Sequence, residues 1–562
     1  MQRILVTNIF WQRTHLTIEY DYTAPLDLKL VSKNGKIKLD TKSSDAAGKT
    51  YSAKLNICVA YGRQLPPSGE YILDFGIDSK VVLSQNILKS LESFSRIFEY
   101  SYGKYSYNVS FKAEVKEFES NKKSGDEETK ASFVHTSPVS GVDGAPCADN
   151  ESRLVIHFAY MMLNKKPDKP RILAESHAFS EIIKKSARLS GVFLCNGFYL
   201  LISLFKIFGK KRILLMTENR EVISANLSFF YQRLRERRID EKYNIKTSAR
   251  NTLQKKYYLL SWLNLIILIA LSHYIFIDDY TPVFAVLKLK KTKLIQLWHA
   301  GVGFKCVGYS RFGLPGSPHP FKSNHRYYDY GIVGCEALKP LYSEVWGIEE
   351  NAIIPSGLPR LEHFLEENII SSQRAILYEK YPRLKEKQVI LFAPTYRGKG
   401  QREAYYDFDK IDFGALYRYC VKADKYVLFK MHHFIKVGTP IDEKFKERLI
   451  DVSGEEINNL FYITDVLITD YSSCFYDFLL LNKPIIFYAY DSDDYFAALG
   501  MHRDFDTNAP GVICKSFKDL IRVLEDDKYH IEVSKHCYID RAAEKNGLAS
   551  DIIIDFLKLE GA

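Results

Sequence analysis

The stretch DVLITDYSSCFYDFLLLNKPIIFYAYDSDDY, residues 465–495, decides the fold class. Val466-Leu467-Ile468 reads as a short buried strand, and Thr469 to Ser473 turn the chain. Cys474 to Leu481 reads as a helix that Lys483-Pro484 stops, since proline cannot continue it. Pro484 to Tyr490 begins a second buried strand. A strand–turn–helix–strand unit of this kind belongs to a parallel α/β sheet. Such sheets bind ligands at the carboxyl ends of their strands, where a helix start offers N–H groups to a phosphate. The same turn also fits an ordinary βα connection with a serine N-cap.

Equivalent units lie upstream. Val389 to Ala393 is a strand ending in Pro394-Thr395-Tyr396-Arg397, and Tyr426 to Lys430 is a strand ending in Met431-His432-His433. Before these, Arg212–Met216, Tyr274–Ile277 and Leu294–Trp298 read as strands, the last two ending at Asp278-Asp279 and His299. Asn226 to Arg238 reads as a helix between them, and the apolar Leu259–Ala270 as a core helix. Two successive alternations predict two doubly wound α/β domains facing a cleft, at 211–375 and 376–562.

The N-terminal part has another period. Leu16 to Tyr20 alternates, Asn34-Gly35 is a hairpin signal, and Leu55–Val59 and Tyr71–Phe75 flank a Pro-Pro-Ser-Gly turn. Residues 1–118 are expected to form a small β-sandwich. Residues 119–152 are polar and rich in Ser, Gly and charge, and read as a linker or mobile loop. Residues 153–210 connect the parts. Within them Val192–Phe205 is nearly all apolar, with Lys184, Lys185 and Arg188 before it and Lys206, Lys210, Lys211 and Arg212 after it. The run is shorter than the ~20 residues that span a bilayer. It fits a helix lying on an anionic membrane surface, or one buried between domains.

Composition narrows the partners. The 562 residues carry 78 Lys and Arg against 68 Asp and Glu, a net charge of +10 that favours anionic partners. Nine cysteines without a C-x-x-C pair suggest neither disulfides nor zinc, and fit a reducing compartment. The N-terminus lacks the apolar core of a signal peptide and alternates like a strand. There is no Walker A sequence, and Gly301-x-Gly303 lacks the third glycine of a dinucleotide fingerprint, so ATPase and hydride-transfer chemistry are disfavoured. No metal or cofactor is expected.

Four polar strand ends remain: His299, Thr395/Arg397, His432 and Asp470/Ser472/Ser473. They suit transfer to or from a phosphoester. Arg397 and Lys430 can hold phosphate oxygens, Ser472 and Ser473 can donate to them, and a histidine can deprotonate an attacking hydroxyl.

Four motifs carry a resemblance: QLWHAGVGFKCVGYSR (296–311), SGLPRLEHF (356–364), LFAPTYRGKG (391–400) with FKMHHFIK (429–436), and DVLITDYSSCFYDF (465–478). In this order and spacing the C-terminal ~390 residues resemble the CDP-glycerol glycerophosphotransferase family of teichoic acid and capsule synthesis. The layout with an N-terminal β domain is most similar to its ribitol-phosphate polymerases. The resemblance implies a GT-B fold and a peripheral enzyme on the cytoplasmic face of the cell membrane. It implies transfer of polyol phosphate from CDP-ribitol or CDP-glycerol to the terminal hydroxyl of a lipid-linked chain, with release of CMP. It assigns catalysis to His299 and His432, either of which could be the base. It assigns donor binding to Thr395, Arg397, Asp470, Ser472 and Ser473, to which the residue chemistry above adds Lys430. His433 stands where the family often has proline and is given no role. Glu362 replaces the family's aspartate in Pro359-Arg360-Leu361-Glu362. Two other readings compete: a GT-B glycosyltransferase using a nucleotide sugar, and a non-catalytic protein that binds an anionic polymer.

Overall fold

The computed structural model describes the chain outside residues 1–2, 46–47, 63, 78–79, 101–104, 120–129, 136–151, 163–190, 253–254, 300–305, 315–322, 365, 399–402, 503, 530–547 and 561–562. The Gly301/Gly303 pair and the basic residues 184–188 lie outside the described residues. The chain divides into two compact units, one of residues 1–179, 307–326 and 344–348, the other of 180–306, 327–343 and 349–562.

The first unit is a β-sandwich. Its strands are β1 (Arg3–Gln12), β2 (His15–Asp21), β3 (Lys29–Ser32), β4 (Gly35–Lys38), β5 (Asp40–Ser43), β6 (Thr50–Asn56), β7 (Gly69–Asp74), β8 (Lys80–Leu83), β9 (Arg96–Tyr100), β10 (Tyr105–Glu119), β11 (Lys130–His135) and β12 (Ser152–Met162). One sheet runs β5-β6-β2-β1-β8, the other β11-β10-β12-β7-β3-β4 with β9 on β10. Alternate residues such as Leu16, Ile18 and Tyr20 of β2 point into a core that also takes Tyr71, Phe158, Tyr309 and Phe312. The hairpin at Asn34-Gly35 closes β3 on β4 as expected.

This unit extends past the boundary predicted at residue 118. β10 continues to Glu119 and pairs with β11, inside the expected linker, and with β12, inside the expected connecting region. The apolar alternation of Leu154, Ile156 and Phe158 completes the sheet, and cross-strand pairing overrides the polar composition of the segment before it.

The second unit holds two parallel sheets. The first-half sheet contains β13 (Arg212–Thr217), β14 (Asn244–Ala249), β15 (Tyr274–Ile277), β16 (Lys293–Gln296), β17 (Tyr330–Ile332) and β18 (Ile353–Ile354), ordered β14-β13-β15-β16-β17-β18. The second-half sheet contains β19 (Gln388–Phe392), β20 (Lys425–Phe429), β21 (Leu449–Asp451), β22 (Val466–Thr469), β23 (Ile485–Tyr488) and β24 (Val512–Cys514), ordered β21-β20-β19-β22-β23-β24. Both sheets reverse direction of growth at their first strand, which marks a ligand-binding crevice at the carboxyl edge. Their central strands are apolar because helices cover both faces; Ile213–Met216 and Val427–Phe429 are fully buried. The helix Leu259–Leu271 buries Leu265, Ile266, Ile269 and Ala270 against the sheet, as a core helix should.

A helix at residues 191–203, continued by a turn at Leu204–Ile207, is fastened to the first half by its polar side chains. The Asn196 side-chain amide donates to the carbonyl of Val286 at 2.9 Å, and Lys206 Nζ to the carbonyl of Lys291 and the hydroxyl of Thr292, both at 2.6 Å. Burial pulls Lys206 down to about 8. The apolar side chains face the other way: Phe193 is 78% exposed and Ile207 80%, with Leu194, Leu201, Leu204, Phe205 and Phe208 also exposed.

Candidate functional site

His299 follows β16 and is held by its backbone and by one ring nitrogen. Trp298 before it sits at φ 52°, a conformation rare for a bulky residue. Three hydrogen bonds impose it. The Trp298 N–H donates to Gln296 Oε1 at 2.9 Å, and the Asn226 amide donates to the carbonyls of Leu297 at 3.1 Å and Trp298 at 2.6 Å. His299 Nδ1 lies 3.1 Å from the carbonyl of Asp278 and 3.5 Å from Asp279 Oδ1. Both neighbours are acceptors, so Nδ1 carries the proton and Nε2 the lone pair.

His432, past β20, has the opposite arrangement. Its Nδ1 accepts the N–H of Phe434 at 3.2 Å, which places the ring proton on Nε2. The ring packs against Tyr396 at 4.8 Å and His433 at 4.3 Å. His433 is pulled below the ordinary histidine value by burial, and further by the charges of Arg220, Lys430 and His299. The loop after β20 therefore lies within electrostatic reach of His299.

The Asp470–Ser473 turn is built around a buried carboxylate. Asp470 Oδ1 accepts the N–H of Thr395 at 2.8 Å and of Ser472 at 3.2 Å, and Oδ2 accepts Arg397 Nη1 at 2.8 Å. Burial pushes the Asp470 carboxyl up, and the Arg397 guanidinium with the Thr395 N–H opposes that shift. Arg397 is 7% exposed. Besides Asp470 it donates to both oxygens of Asp491, at 2.6 and 2.8 Å, and to the carbonyl of Thr395 at 3.1 Å. The rings of Tyr406, Tyr471, Tyr490 and Tyr495 surround it at 5.1–5.6 Å.

Arg397 and Asp470, both expected at the donor, are hydrogen-bond partners of one another. Their hydrogen bonds are directed at each other and at Asp491, and they shape the turn from beneath. Thr395 is buried, and its N–H and carbonyl belong to the same frame. Ser472 and Ser473 are half-buried at the surface of the turn; Ser473 precedes the helix Cys474–Leu479 and its hydroxyl makes no capping bond. Lys430 Nζ donates to the carbonyl of Ser453 at 2.9 Å and approaches that of Met431 at 3.4 Å, and burial lowers its pKa.

A buried pair bridges the two halves. Arg360 Nη1 and Nη2 both donate to the carboxylate of Asp477, on the helix after the serine turn. The Arg360 N–H donates to Asn226 Oδ1 at 3.0 Å, the same amide that fixes the Trp298 loop. Glu362, whose departure from the family's aspartate left its role open, accepts the N–H of Ser550.

Several of these residues escaped the sequence reading. Asp278 and Asp279 were visible as a strand end without a role. Asn226, Asp477 and Asp491 give no sequence signal, because each acts through a partner 70 or more residues away.

Two nucleotide-binding-type halves, a pair of oppositely tautomeric histidines and a serine turn define a GT-B transferase acting on a phosphoester. The sequence profile of the CDP-Glycerol:Poly(glycerophosphate) glycerophosphotransferase family matches residues 198–553, and the chain belongs to that family. It is 37% identical over 366 residues to the teichoic acid poly(ribitol-phosphate) polymerase of Bacillus spizizenii, covering 64% of this chain and 58% of that protein. It is 29% identical over 549 residues, 94% of either chain, to the teichoic acid ribitol-phosphate polymerase TarL of Staphylococcus aureus. The structure of the wall teichoic acid polymerase TagF superposes with a TM-score of 0.51 at 22% identity, over 68% of this chain and 98% of that one. That likeness supports the fold. As a family member the chain is a polyol-phosphate transferase enzyme.

Proposed function

We propose that the protein moves ribitol phosphate from CDP-ribitol to the terminal hydroxyl of a lipid-linked polyol-phosphate chain, releasing CMP. The observation that carries the reading is the opposite hydrogen bonding of the two histidine Nδ1 atoms. His299 Nε2 takes the proton of the acceptor hydroxyl as its oxygen attacks the β-phosphorus of the donor. The bond from that phosphorus to the bridging oxygen breaks, and CMP leaves with the electron pair. His432 Nε2–H donates to the phosphate oxygens on which charge grows. The half-exposed Ser472–Ser473 turn and Lys430 supply further donors to the diphosphate, while Arg397 and Asp470 keep the turn in shape. The similarity to ribitol-phosphate polymerases supports ribitol over glycerol.

The exposed apolar face of residues 191–208 supports attachment to the membrane that carries the acceptor. Among the described residues no helix is long and apolar enough to cross a membrane. The basic Lys210, Lys211 and Arg212 directly after this face fit an anionic surface. This reading places the enzyme on the cytoplasmic face.

The test offers CDP-ribitol, CDP-glycerol and UDP-sugars to the purified enzyme with a lipid-linked acceptor and follows product mass. Growth by ribitol phosphate units with CMP release is expected. Addition of a sugar, or no dependence on a CDP-polyol, overturns the proposal.

A further inference from the structure

The first-half sheet sets four polar groups in a row along its carboxyl edge. Strand order β14-β13-β15-β16 puts Arg250 first, then Glu218, then Asp278, then His299. With neighbouring strands about 4.8 Å apart, the row extends about 14 Å.

Arg250 is the unusual member. It is 6% exposed, and its Nε, Nη1 and Nη2 have no hydrogen-bond partner among the described residues. The rings of Tyr257 and Trp262 lie 4.3 and 4.0 Å from the guanidinium carbon. Aromatic faces stabilise a cation without using any N–H, so the donors in its plane stay available to an anion. Glu218 on the neighbouring strand end is its counter-charge, but a buried guanidinium whose N–H groups lack acceptors stays costly until an acceptor of matching geometry comes to it. Among the described residues Glu218 has one buried oxygen without a hydrogen-bond partner, Oε1, and so does Asp278, Oδ1. The row thus reads donor, acceptor, acceptor, base. A polyol-phosphate chain has the complementary order: a phosphodiester, then hydroxyls, then a terminal hydroxyl.

We propose that Arg250 binds the phosphodiester of the acceptor chain nearest the reacting hydroxyl, while Glu218 and Asp278 accept hydrogen bonds from the polyol hydroxyls between. This rests on the acceptor reading above. The subsite makes the enzyme favour acceptors that already bear polyol-phosphate units over those that bear none.

The experiment uses the full-length enzyme, a soluble oligo(ribitol phosphate) without lipid, and the variants Arg250→Gln, Arg250→Lys and Trp262→Phe. Trp262 reports binding directly: its emission shifts on titration with the oligomer, and Trp262→Phe loses the signal. Arg250→Gln weakens oligomer binding and raises the acceptor KM by roughly 10- to 100-fold, with the donor KM moved less than twofold. Arg250→Lys, which keeps the charge without the planar fork and guards against misfolding of the Gln variant, recovers part of the loss. Unchanged oligomer affinity in a folded Arg250→Gln overturns the proposal. So does a loss confined to phosphatidylglycerol vesicles with oligomer binding intact, which assigns Arg250 to a lipid headgroup. Arg250-dependent oligomer binding without CDP-polyol turnover keeps the subsite and removes the donor reading. Turnover with an unmoved acceptor KM does the reverse.

Discussion

Arg360 and Asp477 form a two-pronged ion pair that joins the two halves of the transferase unit directly beneath its candidate site. Their side chains are 10% and 7% exposed, and Asn458 donates to the same carboxylate at 3.0 Å. Arg360 also holds Asn226, and through it the backbone of the His299 loop. One ion pair therefore sets the position of the base relative to the serine turn. Removing one partner strands a buried charge, so Asp477→Ala is expected to cost about 3–5 kcal/mol. The double variant Arg360→Met/Asp477→Leu should recover most of that stability and not the activity. Denaturant unfolding alongside CMP release checks both, and a double variant with normal turnover would sink the positioning role.

The two histidines should respond differently to conservative replacement. Each alanine variant is expected to lower kcat by roughly 10²–10⁴. Asparagine can donate a hydrogen bond but cannot accept a proton at neutral pH. His432→Asn should therefore keep more activity than His432→Ala, whereas His299→Asn should be no better than His299→Ala. Steady-state rates on the four variants decide this, and the opposite pattern exchanges the roles.

Arg397 shows what the sequence left out. An arginine after a strand end invites a phosphate-binding reading, but Asp470 and Asp491, 73 and 94 residues away, take up its guanidinium. Arg397→Lys should lower the melting temperature, because a point charge cannot satisfy both carboxylates at once. A well-folded Arg397→Lys with only a raised donor KM would restore the phosphate role. Circular dichroism melts beside donor titrations separate the outcomes.

The legible part of the fold was the set of apolar strands. β13, β15, β16, β19, β20, β22 and β23 all announce themselves as short aliphatic or aromatic runs ending in a polar residue, and His299 and His432 were found for that reason. β14, NIKTSA, is a polar edge strand with one aliphatic residue, so Arg250 at its end gave no signal. β17 and β18 are three and two residues long, too short to carry a period. β12 falls in the segment expected to connect the parts, because its partner β10 lies across a polar segment and only pairing shows that it belongs to the sandwich. The contacts that fix the site are pairings at long sequence separation, which no local pattern encodes.

The helix of residues 191–203 and its continuation should act as an anchor whose apolar side can be removed without harm to the fold. Phe193, Leu201 and Phe205 are exposed, so aspartate at all three should leave the unfolding midpoint nearly unchanged. Binding to phosphatidylglycerol vesicles should fall at least tenfold, since each buried apolar side chain contributes roughly 1.5–3 kcal/mol to insertion. Vesicle sedimentation measures this, and undiminished binding of the triple variant would place the membrane contact elsewhere.

Asp278 should make the enzyme less stable as the solution becomes less acidic. Burial raises its carboxyl to about 7, with Arg220 opposing the shift, Asp279 adding to it, and the Thr217 hydroxyl as a hydrogen-bond partner. In the unfolded chain the group titrates near 3.9. Between these values the folded state holds a proton that the unfolded state has lost. Stability is therefore greatest below about pH 4, falls as pH rises through 7, and is level above it with respect to this group. The slope approaches about 1.4 kcal/mol per pH unit at its steepest. Asp278→Asn has no carboxyl to ionise, so its unfolding free energy should exceed that of the wild type at pH 8 and approach it at pH 4. Denaturant curves across that range test the assignment, and parallel pH profiles for the two proteins would show that Asp278 is ionised in the folded enzyme throughout.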